Sequence, residues 1–340
     1  MRTFIIRRLL LLIPVLIGVS VFVFMLTRIS GNPAAAYITE KMPLDVQAKI
    51  KASLHLNEPI YVQYWYWLDG ILHGNWGVSK AAQNLDVSTA IAEKFPFTFE
   101  LAMVSTLIAV VVGVSLGTIS AVRRNTVVDH ATRVMALAGV CLPVFILAII
   151  LKVVFAYQLG WFPLSGAYDP FLYPPFVADM NHYTGFLITD TILNLDLPRF
   201  SDAISHIALP AICLAFGSIA ILTRIMRSSM LEVMGLDYVK TARSKGLPER
   251  VVMRKHARRN ALIPTTTVVG LTFGGLLGGA VLTEFVFAWP GMGGWSAAAA
   301  LSNDWASILG FTLVTAIIYV LANLVVDVMY AFLDPRVQLE

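Results

Sequence analysis

The sequence is poor in charge and in cysteine. Only 14% of its 340 residues are charged, whereas 57% are hydrophobic. Soluble domains usually carry roughly 25% charged residues, so this balance excludes an ordinary soluble globular protein. The two cysteines, Cys141 and Cys213, are too few for a disulfide framework. Both fall in apolar segments, where a thiol packs as a small apolar residue.

Motifs for catalysis are also missing. No CxxC or HExxH pattern occurs, and the six histidines are scattered along the chain. No GxxxxGK[ST] phosphate loop is present, so we expect ATP and Mg to bind elsewhere than on this chain. No nucleophile and base are apparent at membrane depth. We therefore expect no catalytic residue, no resident cofactor or metal, and no nucleic-acid partner.

What the sequence has instead is long apolar runs. Six of them reach the ~20 residues that a helix needs to cross about 30 Å of hydrocarbon. They are residues 9–27, 99–122, 134–157, 207–226, 262–287 and 306–332. The first resembles a secretory signal, but its apolar run exceeds the roughly 7 to 15 residues of a signal core, which favours a retained helix. We predict an all-α membrane protein with six transmembrane helices, divided into a first helix with a large outer loop (1–98) and a five-helix core (99–340).

Lysine and arginine are unevenly distributed among the connecting segments. They cluster before the first span, between the second and third, between the fourth and fifth, and after the sixth, whereas the segment between the third and fourth spans holds only Arg199. The positive-inside rule therefore predicts that both termini are cytoplasmic. The long loop after the first span carries lysines, but long loops translocate regardless of charge, so we expect it outside.

An aromatic segment at residues 61–72 stands out in this outer loop. Asn57-Glu58-Pro59 favours a helix start just before it, and its tyrosine and tryptophan rings favour the headgroup region. We predict a lateral helix on the outer membrane surface. Two roles stay open for it: an anchor that covers the bundle, or a contact with a soluble partner or the mouth of a pathway.

The hydrophilic docking stretch, residues 234–260, lies between the fourth and fifth spans. Residues 237–245 favour a helix, Gly246 supplies a C-cap with positive φ, and Pro248 begins a second helix. Thr241 and Ala242 are small enough for a partner surface to approach closely. We predict two short helices joined at a bend and gripped by another protein. The docking site comprises Asp237, Tyr238, Lys240, Thr241, Ala242, Arg243, Ser244, Lys245, Gly246 and Leu247.

Polar groups and glycines inside the spans need an explanation. A carboxylate at the bilayer centre costs roughly 2.5 to 3.5 kcal/mol, so neither Glu284 nor Asp327 should face lipid. Each is a hydrogen-bond anchor or a substrate contact, and Asn323, one turn before Asp327, is placed to satisfy it. Lys152 is expected to snorkel. Glycines at 113, 117, 270, 274, 275, 278 and 279 predict close helix packing, within the chain or at a dimer interface.

The docking stretch resembles the "EAA" loop of permease subunits in bacterial ATP-binding-cassette importers. That loop reads Glu-Ala-Ala, three residues, Gly, nine residues, then Ile-x-Leu-Pro. Lys240, Thr241 and Ala242 occupy its first three places and Gly246 its glycine, whereas residues 256–259 depart from its end. DYVKTARSKGL and HARRNALIP are more similar to one branch, the B-type permeases of dipeptide and oligopeptide importers. Similarity to that branch extends from MRTFIIRRLLLLIPVLIGVSVFVF through HGNWGVS, TRIMRSSMLEVM and LTEFVFAWPGMGG to NLVVDVMYAFLDPR.

This resemblance implies a type I importer permease in the bacterial inner membrane, in which the docking stretch is the cytoplasmic coupling-helix loop. The implied partners are a second, homologous permease, two cytoplasmic ATP-binding subunits that hold ATP and Mg, and an extracytoplasmic solute-binding protein. Peptides are the implied cargo, with nickel or another small solute as the alternative. A stand-alone secondary transporter or channel would need its own ion site and inverted repeats, and the sequence shows no repeat.

Overall fold

A computed structural model describes residues 2–30, 34, 38, 42–170, 181 and 183–333. Within these ranges it leaves aside the side chains of residues 2–9, 27, 30, 279 and 326–333. Arg336, the arginine that follows the sixth predicted span, lies outside the described residues. The described chain is mainly helical, with one short antiparallel hairpin of β1 (Val78–Ser79) and β2 (Leu85–Asp86) in the outer loop.

The helices are, in chain order, α1 (Arg2–Ser30), α2 (Leu44–Ser53), α3 (Ile60–Leu72), α4 (Val87–Val122), α5 (Val127–Cys141), α6 (Val144–Leu151), α7 (Leu187–Leu193), α8 (Leu197–Met234), α9 (Asp237–Ser244), α10 (Glu249–Val251), α11 (Arg258–Gly279), α12 (Val281–Phe287), α13 (Met292–Leu301) and α14 (Trp305–Leu333). A π-helical segment, Lys152–Gln158, continues α6. A second one, Val252–Ala257, joins α10 to α11.

Four stretches of the described chain are each long and apolar enough to cross a membrane. They are Val87–Val122, Leu197–Met234, Glu249–Gly278 and Trp305–Val325. The bent pair Val127–Cys141 and Val144–Gln158 makes a fifth if it is counted as one span, and α1 contains the shorter apolar stretch Leu10–Leu26. The prediction of an all-α membrane protein is confirmed.

Two predicted spans are broken, and the sequence shows why for the first. Residues 134–157 do not form one straight helix, because the chain bends by 104° between Cys141 and Val144. Leu142 is extended (φ −83°, ψ 119°), as a residue before proline prefers, and Pro143 has no N–H to continue the helix. The fifth predicted span, 262–287, is also interrupted: α11 ends at Gly279, and α12 begins after Ala280.

Close packing of α8 on α4 and α5 forms the centre of the molecule. A Cβ atom at Gly117 would lie 2.7 Å from the Met226 Cβ, and one at Gly113 would lie 2.9 Å from the Leu222 Cβ. On α11, a Cβ at Gly278 would lie 3.0 Å from Thr315 on α14. These glycines therefore serve packing within the chain, one of the two alternatives that their spacing left open.

The aromatic segment of the outer loop is helical, as predicted. α3 begins at Ile60 after Pro59, and the hydroxyl groups of Tyr64 and Ser20 lie 2.8 Å apart, which ties α3 to α1. The Phe24 ring of α1 contacts the Trp67 ring with centroids 5.6 Å apart. The segment thus covers α1, while its position at a membrane surface stays a prediction.

Candidate functional site

The docking stretch begins where α8 ends. The amide of Leu236 donates to the Val233 carbonyl at 3.1 Å, and α9 starts at the next residue, Asp237. Lys240 Nζ donates to Asp237 Oδ1 at 2.9 Å, and Thr241 Oγ1 donates to the Asp237 carbonyl at 2.9 Å. The hydrogen bond from Lys240 lowers the pKa of the Asp237 carboxyl, so this carboxylate stays charged in the first turn of α9.

The bend lies at Gly246, as predicted. Its φ is +74°, and an added Cβ would meet no atom within 4 Å, so conformation rather than space selects glycine here. The Gly246 amide donates to the Arg243 carbonyl at 2.9 Å, which closes α9. The Pro248 carbonyl then accepts from the Val251 amide at 2.8 Å and opens α10.

An ion pair spans the bend. Arg243 Nη2 lies 2.9 Å from Glu249 Oε1, and Arg243 Nε lies 3.2 Å from Glu249 Oε2, which is a two-pronged arrangement. This hydrogen bonding raises the pKa of Arg243. Both side chains are exposed, so the pair contributes at most about 1 kcal/mol of stability. Its main effect is to fix α9 relative to α10.

The inner face of α9 packs against the chain's own helices. Val239 and Ala242 are buried in one cluster with Met230 of α8. Val252 and Met253, from the π-helical segment that joins α10 to α11, belong to the same cluster. Burial on this face packs the docking stretch against the C-terminal end of α8 and the N-terminal end of α11. A push on α9 would therefore be transmitted to those helices.

This packing corrects one expectation about the small residues. Ala242 is only 6% exposed and faces the chain's own core, so it is not a place where a partner approaches. Its small size is explained by the close approach of α9 to the helices beneath it. Thr241 is exposed, as expected for a contact residue.

The outer face of the docking stretch is free for a partner. Of the predicted docking site, all members except Ala242 are exposed: Asp237, Tyr238, Lys240, Thr241, Arg243, Ser244, Lys245, Gly246 and Leu247. The Tyr238 hydroxyl accepts a hydrogen bond from Asn260 Nδ2 at 2.9 Å, which orients its ring. The surface combines cations with two apolar side chains, Tyr238 and Leu247.

Sequence reasoning missed a buried ion pair beside this surface. Asp129 of α5 is fully buried, and its two carboxylate oxygens lie 2.7 Å from Nε and 2.8 Å from Nη2 of Arg227 on α8. Ser120 of α4 donates to the same carboxylate, as does the Asn125 amide. The cluster ties the C-terminal end of α4 and the N-terminal part of α5 to the C-terminal part of α8. α8 leads directly into the docking stretch. In the sequence, the only sign of this ion pair is that Asp129 lies close to Arg123 and Arg124.

Glu284 is a hydrogen-bond anchor. Its Oε1 accepts from Thr98 Oγ1 at 2.8 Å, and its Oε2 accepts from the Gly294 amide at 2.9 Å. The carboxylate is fully buried and lies at the N-terminus of α13, where a negative charge is favoured. Thr98 in turn accepts from the Met292 amide at 2.8 Å. The segment AWPGMGG is thus fastened to α4, which is the anchor role that the sequence offered for Glu284.

The remaining polar residues of the predicted spans are Asn323, Asp327 and Lys152. Asn323 Oδ1 is buried and has no hydrogen-bond partner among the described residues, and the Asp327 side chain lies outside them. Their pairing stays a prediction. Lys152 Nζ donates to the Val286 carbonyl at 2.6 Å, while its snorkelling stays a prediction. That carbonyl is at the C-terminal end of α12, where a cation is favoured.

Comparison with known proteins identifies the family. The family described as "Binding-protein-dependent transport system inner membrane component" matches residues 113–339, and the N-terminal family of such membrane components matches residues 1–102. The chain belongs to this family. It is a membrane-embedded permease component of a binding-protein-dependent transport system, and the resemblance that its motifs indicate is confirmed.

Several curated relatives match the chain over its whole length. The dipeptide transport system permease protein DppB of Alkalihalophilus pseudofirmus is 40% identical to this chain. The match covers 99% of this chain and 100% of the relative's length. The probable D,D-dipeptide transport system permease protein DdpB of Escherichia coli K12 is 40% identical over 96% of this chain and 94% of its own. The di/tripeptide transport system permease protein DppB of Pseudomonas aeruginosa is 40% identical over 99% of both chains.

A solved structure supports the fold. A chain of the MetNI methionine ABC transporter, in an inward-facing conformation, superposes with a TM-score of 0.50. The match covers 72% of this chain and 96% of that chain, at 15% identity. This chain therefore shares its helical fold with that transporter chain.

Proposed function

We propose that this chain forms half of the translocation pathway of an ATP-driven importer of di- and oligopeptides. The observation that carries the proposal is the docking stretch, in which α9 meets the helical stretch Glu249–Gly278 at the Gly246 bend. Its outward side is exposed and carries cations, and its other side is packed on α8 and α11. Three full-length relatives named for peptide transport support peptides as cargo. Nickel or another small solute is the alternative cargo.

The proposed partners follow from this assignment. A second, homologous permease completes the pathway, two cytoplasmic ATP-binding subunits grip the docking site, and a solute-binding protein delivers cargo on the opposite side. ATP and Mg bind to those ATP-binding subunits, and this chain performs no hydrolysis. When the subunits close, they push on α9, and the buried contacts of Val239 and Ala242 pass the movement to α8 and α11. Such a switch needs two states that lie close in energy.

The transport assignment is tested in proteoliposomes that contain the permease pair, both ATP-binding subunits and the solute-binding protein. We expect uptake of a labelled dipeptide that requires ATP and stops when the phosphate-loop lysine of the ATP-binding subunits is replaced. Uptake that continues without ATP would identify a secondary transporter or channel. Uptake of nickel but not of peptides would overturn the proposed cargo while keeping the importer.

We also propose that both termini and the docking stretch face the cytoplasm of a bacterial cell, in its inner membrane. Single cysteines placed at Lys80, Arg124 and Lys245, in a background without Cys141 and Cys213, test this orientation with an impermeant thiol reagent. All three positions are exposed. We expect labelling from outside at position 80 only. Labelling of position 245 in intact cells would reverse the orientation.

A further inference from the structure

A cavity of about 550 Å³ lies between α5 and α8. The two helices run in opposite directions. Near the end of α5, an added Cβ at Gly139 would lie 2.8 Å from the Ala220 Cβ, whereas near its start Asp129 pairs with Arg227. The cavity extends between these two contacts. Ligand pockets commonly measure roughly 300 to 1,000 Å³, so its size suits a small molecule.

Two exposed arginines line this cavity, Arg133 from α5 and Arg224 from α8. Arg133 lies four residues after Asp129, and Arg224 lies three residues before Arg227. Because the helices are antiparallel, both arginines lie one turn from the ion pair in the same direction, on facing walls. Within the part of the chain that the structure describes, neither one pairs with a carboxylate. One anion in the cavity can therefore contact both guanidinium groups.

The cavity opens on the face of α8 that is turned away from α4. α4 packs on α8 at Leu222 and Met226, and Arg224 lies about half a turn round the helix from both. The other side of α4 carries exposed apolar residues four positions apart, a pattern typical of a face toward lipid: Met103, Leu107 and Val111. Arg224 is therefore on the side of α8 opposite to this lipid-like face.

Arg224 is also a charged residue inside an apolar span. It belongs to the fourth predicted span, 207–226, and to the helix Leu197–Met234, which is long and apolar enough to cross a membrane. Charged side chains in such helices are rare, and they usually face a water-filled cavity or mark a substrate pathway. Cations without a carboxylate partner also select cargo, because they attract a carboxylate and repel a free nickel ion.

We propose that this cavity is a peptide-binding site in the translocation pathway, where Arg133 and Arg224 bind the C-terminal carboxylate of a di- or tripeptide. The inference rests on the proposed function, because a pathway between two permeases is what brings cargo to this face. Planar guanidinium groups bind carboxylates well. The larger apolar side chains of the wall, which all come from α5, contact the rest of the peptide: Val134, Leu137 and Val140. A site for the group that these peptides share accepts many different side chains.

The permease pair with both ATP-binding subunits, without the solute-binding protein and without ATP, is titrated with dialanine and with its C-terminal amide. Saturation-transfer difference NMR gives a dissociation constant for each. We expect the wild type to bind the acid at least about fivefold more tightly than the amide, as a charge-assisted hydrogen bond does. Arg133→Gln and Arg224→Gln should each remove most of this preference. The ratio is measured within one preparation, so a smaller folded fraction does not change it.

Two variants serve as controls. Arg224→Lys keeps the charge and should retain part of the preference for the acid. Arg124→Gln removes an exposed cation between α4 and α5 that does not line the cavity, and it should behave like the wild type.

Dipeptide uptake by wild-type proteoliposomes, measured in parallel, separates this site from the proposed function. Absent uptake would overturn the function itself. Normal uptake with equal binding of acid and amide, or with an unchanged ratio in both glutamine variants, would overturn the site alone. Loss of the second permease from purified Arg224→Gln would instead place Arg224 at the subunit interface. Dioctanoyl phosphatidylglycerol that binds more tightly than dialanine, and only when Arg224 is present, would assign the arginines to a lipid phosphate.

Discussion

Asp129→Asn is expected to lower the stability of the permease by about 2–4 kcal/mol, because it leaves the Arg227 guanidinium without its carboxylate. Removing one partner of a buried ion pair usually costs about 3–5 kcal/mol. We place the value slightly lower because the Arg227 side chain is 21% exposed, whereas that of Asp129 is fully buried. Water can therefore solvate part of the charge that remains.

Thermal unfolding of the purified assembly, followed by size exclusion, measures the effect. Asp69→Asn is the matched control, because Asp69 pairs with His73 on the surface and both side chains are more than 70% exposed. It should change stability by less than about 1 kcal/mol. A double variant, Asp129→Leu with Arg227→Met, should be more stable than either single variant, since no charge is then left buried. Wild-type stability of Asp129→Asn would show that the ion pair does not hold α4, α5 and α8 together.

The ion pair also shows where sequence reasoning stops. Hydropathy placed the helical segments well, because a helix in hydrocarbon must satisfy its own backbone and cover it with apolar side chains. Asp129 and Arg227 are 98 residues apart, and nothing in a local pattern says that α5 and α8 bring them together. In the sequence, Arg227 is one of the basic residues between the fourth and fifth predicted spans, and its position predicts only orientation. The contact that gives it a structural role is tertiary.

The two helix breaks, at Pro143 and after Gly279, differ in how far the sequence predicts them. Pro143 was visible in the sequence, and its effect on Leu142 follows from backbone sterics, so the 104° bend was predictable in kind. A hydropathy profile does not reveal this bend, because the residues on both sides of the proline are apolar. The break after Gly279 is harder, since two adjacent glycines only weaken a helix and do not end it.

One feature of the docking site could be predicted from the sequence and another could not. The bend at Gly246 could be predicted, because a glycine between a helix end and a proline is a local signal. Which face of α9 is buried could not. Ala242 is small because it meets Met230 and Val252 inside the chain, and the same smallness would suit contact with another protein. Composition alone does not distinguish these two causes.

Gly246→Val is expected to uncouple the permease from its ATP-binding partners while leaving the chain inserted and folded. The position has a φ of +74°, which costs a residue with a side chain about 1 kcal/mol or more, and a β-branched one is especially disfavoured. An added Cβ meets nothing within 4 Å, so no packing is lost. Relief of the strain must then come from rotation of the backbone at the bend, which turns α9 away from α10 and strains the Arg243 to Glu249 ion pair.

Peptide uptake and copurification of the ATP-binding subunits, measured together, decide between coupling and folding. For Gly246→Val we expect uptake to fall by at least about fivefold, the lower end of usual coupling between sites, with less ATP-binding subunit recovered. Gly246→Asn is the matched control, because asparagine tolerates positive φ better than other residues with a side chain. It should keep most of the uptake although its side chain is as large as that of valine. If both variants transport normally, α9 keeps its position without the glycine. If both fail equally while the chain remains folded, the side chain itself obstructs the partner, and strain at the bend is not the cause.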